Sequence, residues 1–272
     1  MVSQILLTSI LLSNTGLAQV NSDYSMRFFG LVMDQLSEYR VSQAPGFGIG
    51  GELGRDLGRS FTLNVQIAYD AQTLTQDSVL SEWDWAYWEN TYIEWLPGGD
   101  YEIINQTLSY ASGDSIYSAE FLPTQTLNEI RLSLGLDYHT NWKGNIQQFA
   151  GLRTGLSIYD RGLKMQEHWT KRFDLDPDTT ATDTFPGLNY DYKYVLTHFA
   201  PAKTGIRPFI SPRLGLRWEL SDKYDLELGW TALIYLKRLD TLEDFFNMSK
   251  KDFTAFPLES KQQLWIAFRF KY

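Results

Sequence analysis

Cysteine is absent from this sequence, which excludes a disulfide scaffold and zinc sites built on thiolates. Basic residues are scarce: 24 Lys and Arg stand against 33 Asp and Glu, a formal charge of −9. Such a chain lacks the basic face that displaces counterions from phosphate, which excludes a nucleic-acid partner. Past the N-terminus no stretch of eighteen apolar residues occurs, so no transmembrane helix is predicted in the mature chain. A membrane protein with no hydropathy peak must be a closed barrel or peripheral. Aromatic residues, by contrast, are plentiful, with nine Trp, sixteen Tyr and sixteen Phe among 272 residues. That length suits one all-β unit better than two domains.

The first eighteen residues read as a cleavable secretory signal. An apolar stretch from Ile5 to Leu12 precedes Gly16 and Ala18, small residues at the −3 and −1 positions of a cut after Ala18. The early positive residue of most signals is missing, and a short buried helix or strand is the other reading. Residues 19–272 then form the mature unit.

Period-two alternation organises that unit, as it does where lipid-facing and interior side chains alternate along a spanning strand. At the C-terminus Leu264, Ile266, Phe268, Phe270 and Tyr272 share one face, while Gln263, Trp265, Ala267, Arg269 and Lys271 share the other. Similar segments run through Phe61–Tyr69, Ile130–Tyr138, Ala150–Ile158, Ile210–Trp218 and Tyr224–Ile234. Phe47, Ile49 and Leu53 alternate more weakly among glycines, and Met26–Gln35 is strand-like with an ambiguous inward face. Each segment has about the ten residues that a tilted strand needs to cross hydrocarbon. Short connections at Arg55–Arg59, Thr140–Asn145 and Leu220–Lys223 alternate with long ones at Ala71–Gln125, Asp160–Ile206 and Leu239–Lys261. Short periplasmic turns and long extracellular loops make this an eight-stranded up-and-down antiparallel transmembrane β-barrel of the bacterial outer membrane. Tyr69, Tyr138, Trp218, Tyr224 and Tyr272 would form its interfacial girdles. Ten strands result if Tyr87–Leu96 and Tyr101–Tyr110, flanking Pro97-Gly98-Gly99-Asp100, also span. Their mixed faces favour a projecting hairpin.

The segment order is similar to that of the PorT-like outer-membrane β-barrel family. The residues carrying the resemblance are Pro45-Gly46-Phe47, Leu127–Leu134, Gly151-Leu152-Arg153-Thr154-Gly155, Leu214–Lys223 and the terminal strand. It implies a small barrel, with some members tied to protein secretion across the outer membrane. A strand ending the chain on an aromatic residue also resembles the signal that outer-membrane assembly machinery reads during biogenesis. Outer-membrane lipid and that machinery are the expected partners, with other protein partners open.

Side chains just fill the interior of an eight-stranded barrel. The expected interior set is Glu52, Glu129, Arg131, Asp137, Arg153, Arg213, Arg217, Glu219, Glu227 and Arg269. Mixed charge at this density predicts an ion-pair and hydrogen-bond network rather than a wide pore.

The most distinctive loop, Ala71–Gln125, holds nine acidic residues and no Lys, Arg or His. Trp83, Asp84, Trp85, Trp88 and Trp95 are its candidate ligand- or partner-binding residues, because tryptophan offers large contact area at low entropic cost. A small aromatic core within an extracellular hairpin is the other reading. Asp174, Asp176 and Asp178 repeat carboxylates as a calcium loop begins, but Thr179 and Phe185 replace the glycine and acid that loop needs. The loop containing Leu242–Phe246, Lys250 and Lys251 reads as a capping amphipathic segment. Only His139, His168 and His198 could serve catalysis, and none meets a serine on a lipid-facing outer rim. Spacing gives no support to a metal shared by His168, His198 and Glu167. No cofactor is implied. The expected role is non-enzymatic, with extracellular loops engaging a partner or ligand as part of an outer-membrane complex; the alternative is an outer-leaflet enzyme modifying lipid or glycan.

Overall fold

In the computed structural model, described for residues 24–36, 41–58, 60–76, 79–93, 107–112, 115–143, 145–173, 191–236 and 256–272, one antiparallel sheet accounts for almost all regular structure. Its strands are β1 Tyr24–Gln35, β2 Gly46–Asp56, β3 Phe61–Leu74, β4 Thr107–Ser112 and β5 Ser115–Lys143, followed by β6 Ile146–Phe173, β7 Asp191–Phe199, β8 Lys203–Ser221, β9 Tyr224–Tyr235 and β10 Ser260–Lys271. The expected signal segment, Trp95, the Pro97–Asp100 turn, the 174–178 carboxylates and the 242–251 segment lie outside the described residues.

Eight strands close a ring in the order β1-β2-β3-β5-β6-β8-β9-β10. The seam joins the first strand to the last, from Ser25 opposite Lys271 to Gln35 opposite Lys261. Closure leaves no open edge within the ring, which is what lipid demands of a spanning sheet. Both ends of the described chain and the tight connections β2–β3, β5–β6 and β8–β9 share one end of the barrel. Gly58, at φ 79°, supplies the left-handed residue that the first of these turns requires.

Alternation sorts the side chains as expected. Phe61, Leu63, Val65, Ile67 and Tyr69 are exposed on β3, while Thr62, Asn64, Gln66 and Asp70 between them are buried. The exposed stretch covers eight residue rises; at about 3.3 Å each and a tilt of about 40°, it spans roughly 20 Å, near the ~25 Å apolar band of such barrels. Tyr69, Tyr138, Tyr224 and Tyr272 are exposed at its margins. A belt of this kind faces lipid. This is a transmembrane β-barrel. Leu134, 56% exposed at mid-belt, tests the point: Leu134→Arg should cost about 2–4 kcal/mol of folding stability in lipid vesicles, measured by urea titration. No loss would remove that residue from the lipid face.

Two strands run far past the belt. β5 pairs with β3 only from Gln125 to Tyr138, and β6 with β8 only from Ile146 to Arg161. Beyond those limits β5 and β6 continue together to Ser115 opposite Phe173. β4 adds to the upper part of β5 and β7 to the upper part of β6. The result is a four-stranded extension, β4-β5-β6-β7, standing on the end of the ring opposite the tight turns. It corrects three expectations. Asp160–Ile206 is not a plain loop, since it carries the end of β6 and all of β7. The projecting hairpin is β4–β5, turning between Ser112 and Ser115, whereas Tyr87–Ile93 is helical. Lys261 belongs to β10 and not to the preceding loop.

Candidate functional site

The ring interior is the first place to look for a path or a ligand, and it is filled. Glu129, Arg131, Arg153, Arg213, Arg217, Glu227 and Arg269 are all buried facing inward, as are Glu52 and Asp137. Glu219 instead sits half-exposed at the rim beside Lys271. Mid-barrel, Glu52 accepts from Arg27, Arg153 and Arg213, and Glu227 from Arg27 at 3.3 Å and Arg217 at 2.7 Å. One level toward the outside, Asp70 pairs with Arg131 at 2.7 Å and Lys261 at 2.8 Å. Glu129 there takes Lys261 at 2.5 Å, the Ser157 hydroxyl at 2.5 Å and the Tyr235 hydroxyl at 2.7 Å. The guanidinium of Arg213 also lies over the rings of Phe149 and Trp265, at 4.9 and 4.6 Å.

Buried charge is costly unless paired, and here each carboxylate meets two or more cations or hydroxyls. The void among Arg27, Glu52, Gln66 and Arg153 measures about 20 Å³, room for about one water. Above the charges, toward the extension, Leu74, Leu127, Tyr159, Phe209 and Phe256 pack in an apolar layer. Arg27, Asp70 and Lys261 were not expected in this network. The inward face of β1 was obscured because Phe29, Leu31 and Met33 also point inward, packed with Phe149 and Trp265.

The second site is the segment after β3. It forms two short helices, α1 Val79–Glu82 and α2 Ala86–Trp88, followed by a π-helical turn, Glu89–Ile93. This segment lies against the inner face of the extension. Val79, Leu80, Trp83, Trp85, Trp88 and Tyr92 pack on Ala119 and Phe121 of β5 and on Leu163, Met165 and Trp169 of β6. Trp88 is 0% exposed and stands edge-on to Phe121 at 5.0 Å. Trp83 lies under the Arg161 guanidinium at 4.4 Å and the Lys203 ammonium at 4.9 Å. Trp83, Trp85 and Trp88 thus build an aromatic core, and Asp84 between them faces outward. Asp84, held at φ 60°, is exposed, as are Glu89 and Asn90.

Three solved structures give a measure of likeness. Neisserial surface protein A matches at 12% identity, covering 92% of this chain and 97% of its own, with a TM-score of 0.40. The Yersinia pestis attachment invasion locus protein Ail, solved with the heparin analogue sucrose octasulfate, matches at 8% identity over 92% and 99%, with a TM-score of 0.29. The translocator domain of the Neisseria meningitidis autotransporter NalP matches at 9% identity over 99% and 94%, with a TM-score of 0.27. No family model and no curated protein sequence matches this chain.

Within the aromatic core of the extension sits one carboxylate. Glu167 on β6 is fully buried, and its two oxygens are shared out. Oε2 accepts from the Trp169 indole at 2.8 Å. Oε1 accepts from the Tyr87 hydroxyl at 3.1 Å and lies 3.2 Å from Nε2 of His198 on β7. The Tyr87 hydroxyl is also 3.0 Å from that nitrogen, and the two rings stack at 4.4 Å. Burial and the Glu167 carboxylate push the Tyr87 phenol up to about 12. Burial raises Tyr92 further, and its hydroxyl turns to the same carboxylate and to Tyr87. Both phenols therefore act as donors at neutral pH. His168 points to the opposite, outer face of β6 and His139 meets the Thr62 hydroxyl near the tight-turn end of the barrel, so the three histidines are not brought together. Among the described residues no three His, Asp or Glu side chains converge. Two tyrosines complete the cluster around Glu167 and His198.

Proposed function

We propose that this protein is a membrane-anchored recognition module, non-catalytic, whose extracellular extension and acidic cap engage a protein partner with a basic face. The observation that carries the reading is the filled interior beneath an enlarged exterior. Side chains occupy the ring, while β5 and β6 extend past it to support a covered, rigid surface. The tryptophans of the cap are its scaffold, and Asp84 and Glu89 are its outward chemistry. Charge complementarity of this kind steers encounter and selects partners. Membership of the PorT-like family and a place as accessory subunit in a secretion or uptake complex belong to the same proposal.

Purification of a loop-tagged copy from native outer membranes in mild detergent tests it. The expected result is a stoichiometric partner that is lost, or bound at least about ten-fold more weakly, with D84K/E89K. Capture unchanged by that reversal would sink the acidic-cap reading. In planar bilayers the purified barrel should show no stepwise conductance; regular steps would make it a channel instead. The alternative, an outer-leaflet lipid- or glycan-modifying enzyme, would need His198 to activate a nucleophile, whereas that ring is held by Glu167 and Tyr87.

A further inference from the structure

We infer that the hydroxyls of Tyr87 and Tyr92, the carboxylate of Glu167 and Nε2 of His198 form an extracellular binding site for a hard trivalent cation, ferric iron in the first place. The inference stands apart from the partner reading, since it concerns the inside of the extension and not its outward acids.

Geometry comes first. The Tyr87 oxygen, Glu167 Oε1 and His198 Nε2 form a nearly equilateral triangle with sides of 3.1, 3.0 and 3.2 Å. Donors at neighbouring positions of an octahedron, about 2.0–2.2 Å from an ion, are themselves separated by about 2.8–3.1 Å. The triangle therefore matches one face of such a polyhedron, with the Tyr92 oxygen approaching the same carboxylate as a fourth donor. The three points come from three separate segments, α2, β6 and β7, which the fold brings together without any local sequence signature.

Ligand chemistry narrows the ion. Calcium takes six to eight oxygens and structural zinc favours sulfur and nitrogen, so neither suits two phenols, one carboxylate and one imidazole. Phenolate is a ligand of ferric iron. Charge agrees with this choice. Two phenols release their protons to solvent on ligation, and two phenolates with one carboxylate then balance the ion's three positive charges. A neutral complex is what a site walled by Trp88, Phe121, Met165 and Trp169 can hold, since an uncompensated charge there would be costly. The other oxygen of Glu167 is oriented by the Trp169 indole, the kind of outer partner that fixes a ligating carboxylate. Access is from the His198 side, where that side chain is 29% exposed.

The experiment is a titration of the full-length barrel in detergent with ferric nitrilotriacetate, followed by visible absorption. The expected result is a phenolate-to-iron charge-transfer band that saturates at one equivalent and is abolished in Y87F/Y92F. E167Q should weaken binding, and W169F, acting through Glu167, should weaken it about ten-fold while keeping the band. The phenylalanine variants retain both rings, and the Tyr87→Phe change alone lies at the half-buried rim, so one variant remains folded and informative. A chelator-resistant band that survives in Y87F/Y92F, or no band in the unaltered protein, would overturn the assignment and leave the four groups as a hydrogen-bonded latch. Binding of zinc without iron would overturn it as well.

Discussion

Glu52→Gln is expected to destabilise the folded barrel by about 3–5 kcal/mol, because it strips the counter-charge from buried arginines without removing them. The Glu52 carboxylate accepts from Arg27, Arg153 and Arg213, which come from β1, β6 and β8. An amide in its place fills the same volume but leaves Arg27 with Asp137 and Glu227, Arg213 with Asp137, and Arg153 with the Gln66 amide alone. Arg153→Met should cost less, since Glu52 would keep Arg27 and Arg213. Urea titration of the protein in lipid vesicles, followed by tryptophan fluorescence and the gel shift of the folded form, measures both. If Glu52→Gln matched the unaltered protein within about 1 kcal/mol, the network would be decoration rather than support.

The second large effect should stay local. Trp88→Ala removes a fully buried ring from the core between the cap and the extension, a change that typically costs about 3–5 kcal/mol. The ring strands do not touch that core at belt height, so the cost should appear as opening of residues 79–93 and not as loss of the barrel. Hydrogen exchange read by mass spectrometry is the suitable measurement. Protection of the cap should collapse while β1, β2 and β10 keep theirs. Uniform loss across the ring would show that cap and barrel fold as one cooperative unit.

The eight spanning segments were legible because lipid enforces a simple rule: apolar outward, anything satisfiable inward. The extension escaped the same reading for a physical reason. Along β6 the exposed apolar positions are Leu152, Leu156 and Ile158, even numbers, whereas further out the buried apolar positions are Leu163, Met165 and Trp169, odd numbers. Along β5 the same change separates Ile130–Leu136 from Leu127, Phe121 and Ala119. No bulge intervenes in the β5–β6 register there; the strand is continuous while the solvent changes from lipid to water. A period-two pattern that inverts its phase without losing its period was the available signal, and Pro123 with the charges of Glu120, Lys164 and Glu167 masked it. The site around Glu167 had no such signal, because its members are separated by up to 111 residues and meet only through the sheet.

The charges inside the ring also bear on how the barrel finds its own shape. An outward belt of Leu, Ile, Val and Phe is indifferent to sliding, since a slip of two residues presents the same kind of side chain to lipid. The interior is not indifferent. Displacing β10 by two positions along β1 would carry Lys261 about 7 Å from Asp70 and Glu129 and strand its ammonium in a dry interior, while Asp70 kept only Arg131 and Glu129 only its hydroxyl donors. Wrong closures are thus penalised from within, even though every backbone hydrogen bond could re-form. The seam between the first and last strands is therefore held in register from inside the ring, where its backbone pairing alone would allow several joins.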